Sequence, residues 1–251
     1  MLYIRSALFN ALFYLNTIVL MILGLPLLAT SRHSVFFLCK VWGKTTLWLL
    51  DKICGTKAEF RGLENIPKGS LIIAPKHQSI WETFALEMFF TDYSIILKRQ
   101  LMFIPLFGWY LKRAELIAID RASGKSALEQ IIQQAKKLLP QGRQLFCFPE
   151  GTRRPPGAKP RYKIGIAQIY AETGMPCLPI AMNSGLFWAR RSFVRRPGTI
   201  VVEFLPVIPP GLSREAFFTR LQNDIEDASN RLMAEAIAKD PSLAELMVKE
   251  D

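Results

Sequence analysis

Residues 70–82 read SLIIAPKHQSIWE. Ser70–Ala74 is a short apolar run behind the turn-rich stretch Arg61–Gly69, so it reads as a buried strand. Lys76-His77-Gln78-Ser79-Ile80-Trp81-Glu82 follows at once, with His77 and Glu82 five positions apart. On one continuous helix that spacing would set them about 140° apart around the axis, and they could not meet. If His77 stands at the strand end and Glu82 in the first turn of the next helix, the carboxylate can fold back onto the imidazole. It would then fix the ring's tautomer and leave the other nitrogen free to take a proton. Taken alone, the spacing favours a surface histidine beside an exposed glutamate.

Outward from this stretch the chain alternates. Thr83–Phe90 is predicted helical, Ser94–Leu97 a strand, Phe103–Lys112 a short helix and Leu116–Ile119 a further strand. Ser123 can cap a helix running to Leu139, with Lys136 and Lys137 in its last turn and Pro140 and Gly142 to stop it. Gln144–Phe148 reads as a strand, Ile164–Glu172 as a helix, and Cys177–Met182 and Thr199–Leu205 as later strands. Ala216–Ala238 has the pattern of a long amphipathic helix. Strands and helices in this order predict an α/β fold: a layered, mostly parallel sheet flanked by helices.

Ahead of this body lies a different kind of sequence. No charged residue occurs from Ser6 to Ser31, and Ala7–Ala29 is long enough to cross a hydrocarbon core as a helix. A cleavable signal peptide would have a shorter apolar region, and no small-x-small site follows cleanly. Asn10, Asn16, Thr17, Gly24 and Pro26 also fit a kinked helix that dips into a membrane and returns. In the next segment Leu38, Val41, Trp42, Thr45, Trp48 and Leu49 recur at helical spacing, and tryptophans beside lysines suit the headgroup layer. The expected division is residues 1–58 as a membrane-associated helical segment and 59–251 as the globular body. If the first segment spans, Arg32, Lys40, Lys44 and Lys52 place that body on the cytoplasmic side.

Half of the 251 residues are hydrophobic, and 32 Lys and Arg against 21 Asp and Glu give a formal charge of +11. Such charge on so apolar a chain fits an anionic membrane surface, whereas nucleic-acid binding would explain the charge alone. The four cysteines show no C-x-x-C spacing, which argues against zinc and against a disulfide framework. Only His33 and His77 can supply imidazole chemistry.

Three more features follow predicted strands. Phe148-Pro149-Glu150-Gly151-Thr152-Arg153-Arg154 combines a glycine, which lets a ligand approach the backbone, with arginines suited to a phosphate monoester. Ile119-Asp120-Arg121 reads in the first place as a structural ion pair. Pro179-Ile180-Ala181-Met182-Asn183-Ser184-Gly185 says only strand, then turn. Arg190, Arg191, Arg195 and Arg196 form a basic patch after Phe187 and Trp188, which reads as a surface for anionic lipid or an acidic partner, or as a plain solvated face.

In this order and spacing the features resemble the glycerolipid acyltransferase family, in particular bacterial-type 1-acylglycerol-3-phosphate acyltransferases, over roughly residues 63–205. His77 matches the histidine of the family's first motif, with Glu82 in the aspartate's place. Leu116–Arg121 resembles the second motif, although the glycine that often opens it is Glu115. Phe148–Arg153 reproduces the third, FPEGTR, without a mismatch, and Pro179–Ile180 fits the fourth. The resemblance implies catalysis by His77 and Glu82. It also implies substrate binding by Lys98, Arg121, Glu150, Gly151, Thr152 and Arg153, and lends weight to Lys163.

By the same resemblance the chain acylates the sn-2 hydroxyl of lysophosphatidic acid from acyl-CoA or acyl carrier protein, forming phosphatidic acid. It would use no metal and no cofactor, bind membrane lipids but no nucleic acid, and sit on the cytoplasmic face of a bacterial inner membrane. In this reading Glu150 orients cations rather than touching phosphate. A related acceptor such as lyso-ornithine lipid, or a non-catalytic membrane adaptor, remains open at this point.

Overall fold

The computed structural model describes residues 1–120 and 124–248. Its seven strands are β1 (Thr56–Arg61), β2 (Leu71–Pro75), β3 (Tyr93–Lys98), β4 (Ile117–Ile119), β5 (Gln144–Phe146), β6 (Cys177–Met182) and β7 (Gly198–Phe204). They form one sheet in the order β1-β7-β6-β2-β5-β3-β4. All pairings are parallel except β6 with β7. The mostly parallel sheet is thus as the alternation predicts. Every residue of β2, β5 and β6 is buried, as continuous apolar runs in the middle of a doubly covered sheet should be.

The helices are α1 (Leu2–Leu23), α2 (Arg32–Leu49), α3 (Trp81–Ala85), α4 (Phe107–Arg113), α5 (Gly124–Leu138), α6 (Gly165–Thr173), α7 (Ser184–Phe187) and α8 (Arg214–Lys239). Successive side chains of β2 point to opposite faces. Leu71 and Ile73 join the core shared with Phe9, Phe13, Phe36 and Phe84 of the helices at the N-terminal end. Ile72 and Ala74 join the other core, with Ile131 of α5, Ile166 of α6 and Phe217, Leu221 and Ile225 of α8.

Several elements differ from the reading of the sequence. β1 was not anticipated: it is an edge strand pairing only with β7, with Lys57 and Glu59 exposed, so it lacks the apolar run that marks the central strands. The stretch Thr83–Phe90 divides into the single turn-and-a-half of α3 and a 3₁₀ turn at Glu87–Phe89. Ahead of α4, a 3₁₀ turn at Arg99–Phe103 and the break at Pro105 delay the helix to Phe107. The expected cap Ser123 lies outside the described residues.

The apolar N-terminal stretch does not continue as one helix to Ala29. α1 stops at Gly24, Pro26 opens a 3₁₀ turn over Leu25–Ala29, and α2 returns alongside. Among the described residues α1 is the one helix long and apolar enough to cross a membrane. Only Ser6, Phe9 and Phe13 of it are buried, and Ile4, Leu8, Leu15, Ile18 and Ile22 point outward. Its polar residues have partners: Asn16 Nδ2 donates to Thr45 Oγ1 at 3.0 Å, Trp42 Nε1 to Thr17 Oγ1 at 2.9 Å, and Asn10 Nδ2 to the Phe193 carbonyl at 3.0 Å.

The hairpin is seated on α3 at Gly43, where an added Cβ would lie 2.9 Å from the Phe84 carbonyl oxygen. Gly43→Ala raises helix propensity by about 1 kcal/mol but forces α2 off α3. We expect a net destabilisation of roughly 1–3 kcal/mol from overpacking, read as a lowered unfolding midpoint in detergent. An unchanged or raised midpoint would show that the hairpin seats elsewhere.

Candidate active site

β2 and β5 are neighbours, with Ile73 opposite Phe146, so the loops leaving their carboxyl ends emerge side by side. This is the crevice where ligands bind in open α/β sheets. The first loop carries His77 and the second the stretch Phe148–Arg153. Glu82 falls in the first turn of α3 and folds back, as the spacing required. Its Oε1 lies 3.0 Å from His77 Nδ1 and accepts the backbone N–H groups of Gln78 and Ser79, both at 2.7 Å. Its Oε2 accepts the Ser184 hydroxyl at 3.0 Å. Glu82 is fully buried, whereas the His77 side chain stays 14 % exposed and stacks on the Phe148 ring at 4.1 Å between centroids.

The His77 main chain is also held at both ends. Its N–H donates to Glu150 Oε2 at 3.0 Å, and its carbonyl accepts the Arg154 N–H at 2.7 Å. With Nδ1 facing Glu82, the polar atom left over is Nε2. Opposite a carboxylate, which can only accept, a neutral ring would carry its hydrogen on Nδ1 and leave Nε2 to accept.

Glu150 is buried, and burial pushes its carboxyl above the ordinary value against the opposing pull of Lys76 and the His77 N–H. Lys76 Nζ sits 3.1 Å from Glu150 Oε1 and 2.6 Å from Glu226 Oε1 of α8, which also accepts the Tyr162 hydroxyl at 2.8 Å. The cation that Glu150 meets is therefore Lys76, and both of its oxygens are occupied within the protein. Gly151 makes the turn that brings the second loop against the first, at φ +64°, where a side chain would be strained.

Arg153 is half-buried and lines an apolar cavity. Its carbonyl accepts from Arg190 at 3.0 Å, while its guanidinium makes no hydrogen bond or ion pair among the described residues. Thr152 and Lys163 are exposed; Lys163 and Gly151 line a second cavity. Lys98 is exposed at the carboxyl end of β3, on the same sheet edge, with no contact that joins it to His77. Arg121 lies outside the described residues. Lys76, Glu226 and Ser184 were not foreseen as site residues. Ser184 stood in the stretch Pro179–Gly185, read only as strand and turn, and nothing local marks Glu226 as a partner of Lys76.

Two cavities border the crevice. One, of about 300 Å³, runs from His77 and Phe148 between the sheet and α5 and α6. The other, of about 370 Å³, lies beneath the helical hairpin, walled by Leu20, Phe36, Trp42, Thr83 and Tyr110, with Arg153 also on its lining. Glu87 belongs to this second wall; it is 8 % exposed and its Oε2 accepts the Tyr93 hydroxyl at 2.7 Å. Burial pushes the Glu87 carboxyl up to about 7.

No serine or cysteine reaches His77 among the described residues. Ser79 Oγ instead accepts the Trp81 N–H at 3.2 Å. Burial raises the thiols of Cys54 to about 11 and Cys147 to about 12, far from a reactive thiolate. No group of metal-ligating side chains occurs among the described residues. An imidazole held by a buried carboxylate at the carboxyl edge of the sheet, beside apolar cavities and a half-buried arginine, is an arrangement suited to proton transfer next to an apolar ligand.

The sequence pattern of the family described as Acyltransferase matches residues 57–183. The 1-acyl-sn-glycerol-3-phosphate acyltransferase of Pseudomonas aeruginosa is 38 % identical over 208 residues, 83 % of this chain and 79 % of that protein. The chloroplastic 1-acyl-sn-glycerol-3-phosphate acyltransferase BAT2 of Brassica napus is 29 % identical over 171 residues, 66 % of this chain and 48 % of that protein. The fold matches the crystal structure of the 1-acyl-sn-glycerophosphate (LPA) acyltransferase PlsC from Thermotoga maritima. The TM-score is 0.77 at 23 % identity, over 93 % of this chain and all of that one. The chain belongs to the acyltransferase family.

Glu87 supplies a stability test. Its raised pKa means that the unfolded chain loses the proton more readily than the folded one. The contribution is complete below about pH 4.5 and lost as the pH rises to about 7. Glu87→Gln should abolish that decline, on the order of 3 kcal/mol, in denaturant unfolding followed across this range. A variant with the same pH slope as the parent would refute the assignment.

Proposed function

We propose that this enzyme acylates the free hydroxyl of 1-acyl-sn-glycerol-3-phosphate from an acyl thioester, forming phosphatidic acid. The observation carrying this reading is that three polar atoms of His77 are tied to the protein and Nε2 alone is left. Nε2 removes the proton of the sn-2 hydroxyl as its oxygen attacks the thioester carbonyl. The new ester forms, the carbon–sulfur bond breaks, and the imidazolium returns the proton to the departing thiolate. Glu82 stabilises the imidazolium and keeps the ring from turning. The chain's own groups suffice for these steps, with no cofactor.

Arg153 holds the acceptor's phosphate, helped by Lys98 from the same sheet edge, and so positions the hydroxyl. Thr152 and Gly151 shape the loop that the phosphate approaches, and Arg121 joins this group by family resemblance. Glu150 supports it from below by fixing His77 and Lys76. The acceptor is a membrane lipid and can leave its own chain in the bilayer. A water-borne donor, acyl-CoA or acyl carrier protein, needs its chain shielded, and the cavity beneath the hairpin supplies apolar walls for it. Residues 1–58 act as the membrane anchor through the outward apolar face of α1, and residues 59–251 as the catalytic domain. Arg32, Lys40, Lys44 and Lys52 favour the cytoplasmic face of a bacterial inner membrane.

The test is an assay in membranes with mixed lysolipid acceptors and both donors, products read by mass spectrometry. His77→Ala should lower kcat by about 10²–10⁴-fold with unfolding unchanged. Product on an acceptor without phosphate would move the enzyme to another lysolipid, and none at all from folded protein would refute the reaction. Glu82→Gln should cost more activity than Glu82→Asp, because Gln removes the charge while Asp only shortens the reach; a harmless Gln would exclude the electrostatic role. Arg153→Ala should raise the acceptor KM about tenfold or more and leave the donor KM near the parent value.

A further inference from the structure

The cavity beneath the hairpin contains a group that a plain hydrocarbon chain has no use for. Most of its polar lining is satisfied inside the protein. Thr17 donates to the Phe13 carbonyl at 2.7 Å, Thr83 to Ile80 at 2.5 Å, Tyr110 to Met21 at 2.6 Å, and Tyr93 to Glu87 Oε2 at 2.7 Å. Two groups are exceptions: the half-buried Arg153, whose guanidinium is unpaired among the described residues, and the far more deeply buried Glu87. The Oε1 of Glu87 receives no hydrogen bond among the described residues, although the residue is more than nine-tenths buried and lines the cavity. A lone carboxyl oxygen against apolar walls is costly unless something pairs with it.

Its position along the wall is defined. Ile80, Thr83 and Glu87 all line this cavity, at helical spacing along α3 and the 3₁₀ turn after it. Ile80 is three residues from His77. At 1.5 Å per residue Glu87 lies about 10 Å further on, well away from the reacting atoms.

We propose that the Glu87 carboxyl is a specificity-determining group that pairs with a hydroxyl carried part-way along the transferred acyl chain. The inference rests on the reading of this cavity as the site of that chain. A hydroxyl suits both protonation states of the carboxyl: it donates to the ionised form, and it accepts from the neutral form. A keto group could pair only with the neutral acid. The carboxyl's elevation to about 7 keeps both forms available near neutrality. Tyr93 of β3 fixes one carboxyl oxygen by its hydroxyl, Cys39 of α2 lies beyond it, and Arg153 is the one cation on the lining of the same cavity among the described residues.

The experiment measures binding, so it does not depend on turnover. Stearic acid, a mid-chain hydroxystearic acid and the isomer hydroxylated beside its carboxyl group compete for the full-length protein in detergent against a fluorescent fatty acid. The wild type should bind the mid-chain hydroxy acid at least as well as stearic acid and bind the other isomer more weakly. Glu87→Leu should weaken the mid-chain hydroxy acid about tenfold relative to stearic acid, while Glu87→Gln, which retains hydrogen bonding, keeps the parent ratio.

A wild type that rejects both isomers alike would overturn the inference without any variant. So would a Leu variant that shifts stearic and hydroxystearic acids equally. Failure of acyl transfer with plain donors would instead count against the proposed reaction and leave these binding ratios to be judged on their own.

Discussion

The carboxylate of Glu82 is fully buried, yet no lysine or arginine reaches it among the described residues. It is held by hydrogen-bond donors from two separate parts of the chain: the amides of Gln78 and Ser79 with His77 Nδ1, and the Ser184 hydroxyl from α7. Donors aimed at a carboxylate from a rigid frame compensate its lost hydration. They also close the loop after β2 into one conformation, because a single oxygen takes both amides and the imidazole. The histidine's orientation is thus a by-product of how the loop folds. From the first turn of α3 the Glu82 side chain meets two backbone amides and the ring together.

Glu150 solves the same burial problem by other means, with a cation. Lys76 bridges it to Glu226, so the loop after β5, the residue next to His77 and the long helix α8 form one buried ion group. Removing a single member of such a group leaves an uncompensated charge, which costs far more than a surface pair contributes. The consequence for the site is positional. The backbone of His77 is gripped from Glu150 on one side and from Arg154 on the other, and the third motif performs that gripping through its first acidic residue and the residue just past its end.

What was legible in the sequence was local. The apolar run of β2 announced a central strand because both faces of that strand are covered, and the five-residue step from His77 to Glu82 is short enough to reason through. β1 was illegible for the complementary reason: an edge strand with Lys57 and Glu59 in water carries no apolar signature. Ser184 is 102 positions from Glu82 and Glu226 is 150 from Lys76, so only the three-dimensional chain could join them. Asn16 and Thr17 interrupt the apolar run of α1. They turn out to be the positions by which α1 recognises Thr45 and Trp42 of α2. Glu87, inside an apolar helical stretch, gave no sign that its wall faces a cavity.

The hairpin is therefore more than an appendage to the catalytic body. Phe9 and Phe13 of α1, Trp42 of α2, Phe84 of α3 and Trp188 beyond α7 pack as one aromatic cluster, mostly edge-on or tilted to one another. Such a cluster is dense, and dense packing transmits displacement rather than absorbing it. The same helices wall the larger cavity, and the wall opposite them is α3, whose first turn holds Glu82. Any shift of α1 and α2 against the body must change the width of that cavity and press on the helix that orients the histidine. The outward apolar face of α1, the wall of the cavity and the turn that holds Glu82 are thereby joined by one contiguous set of contacts.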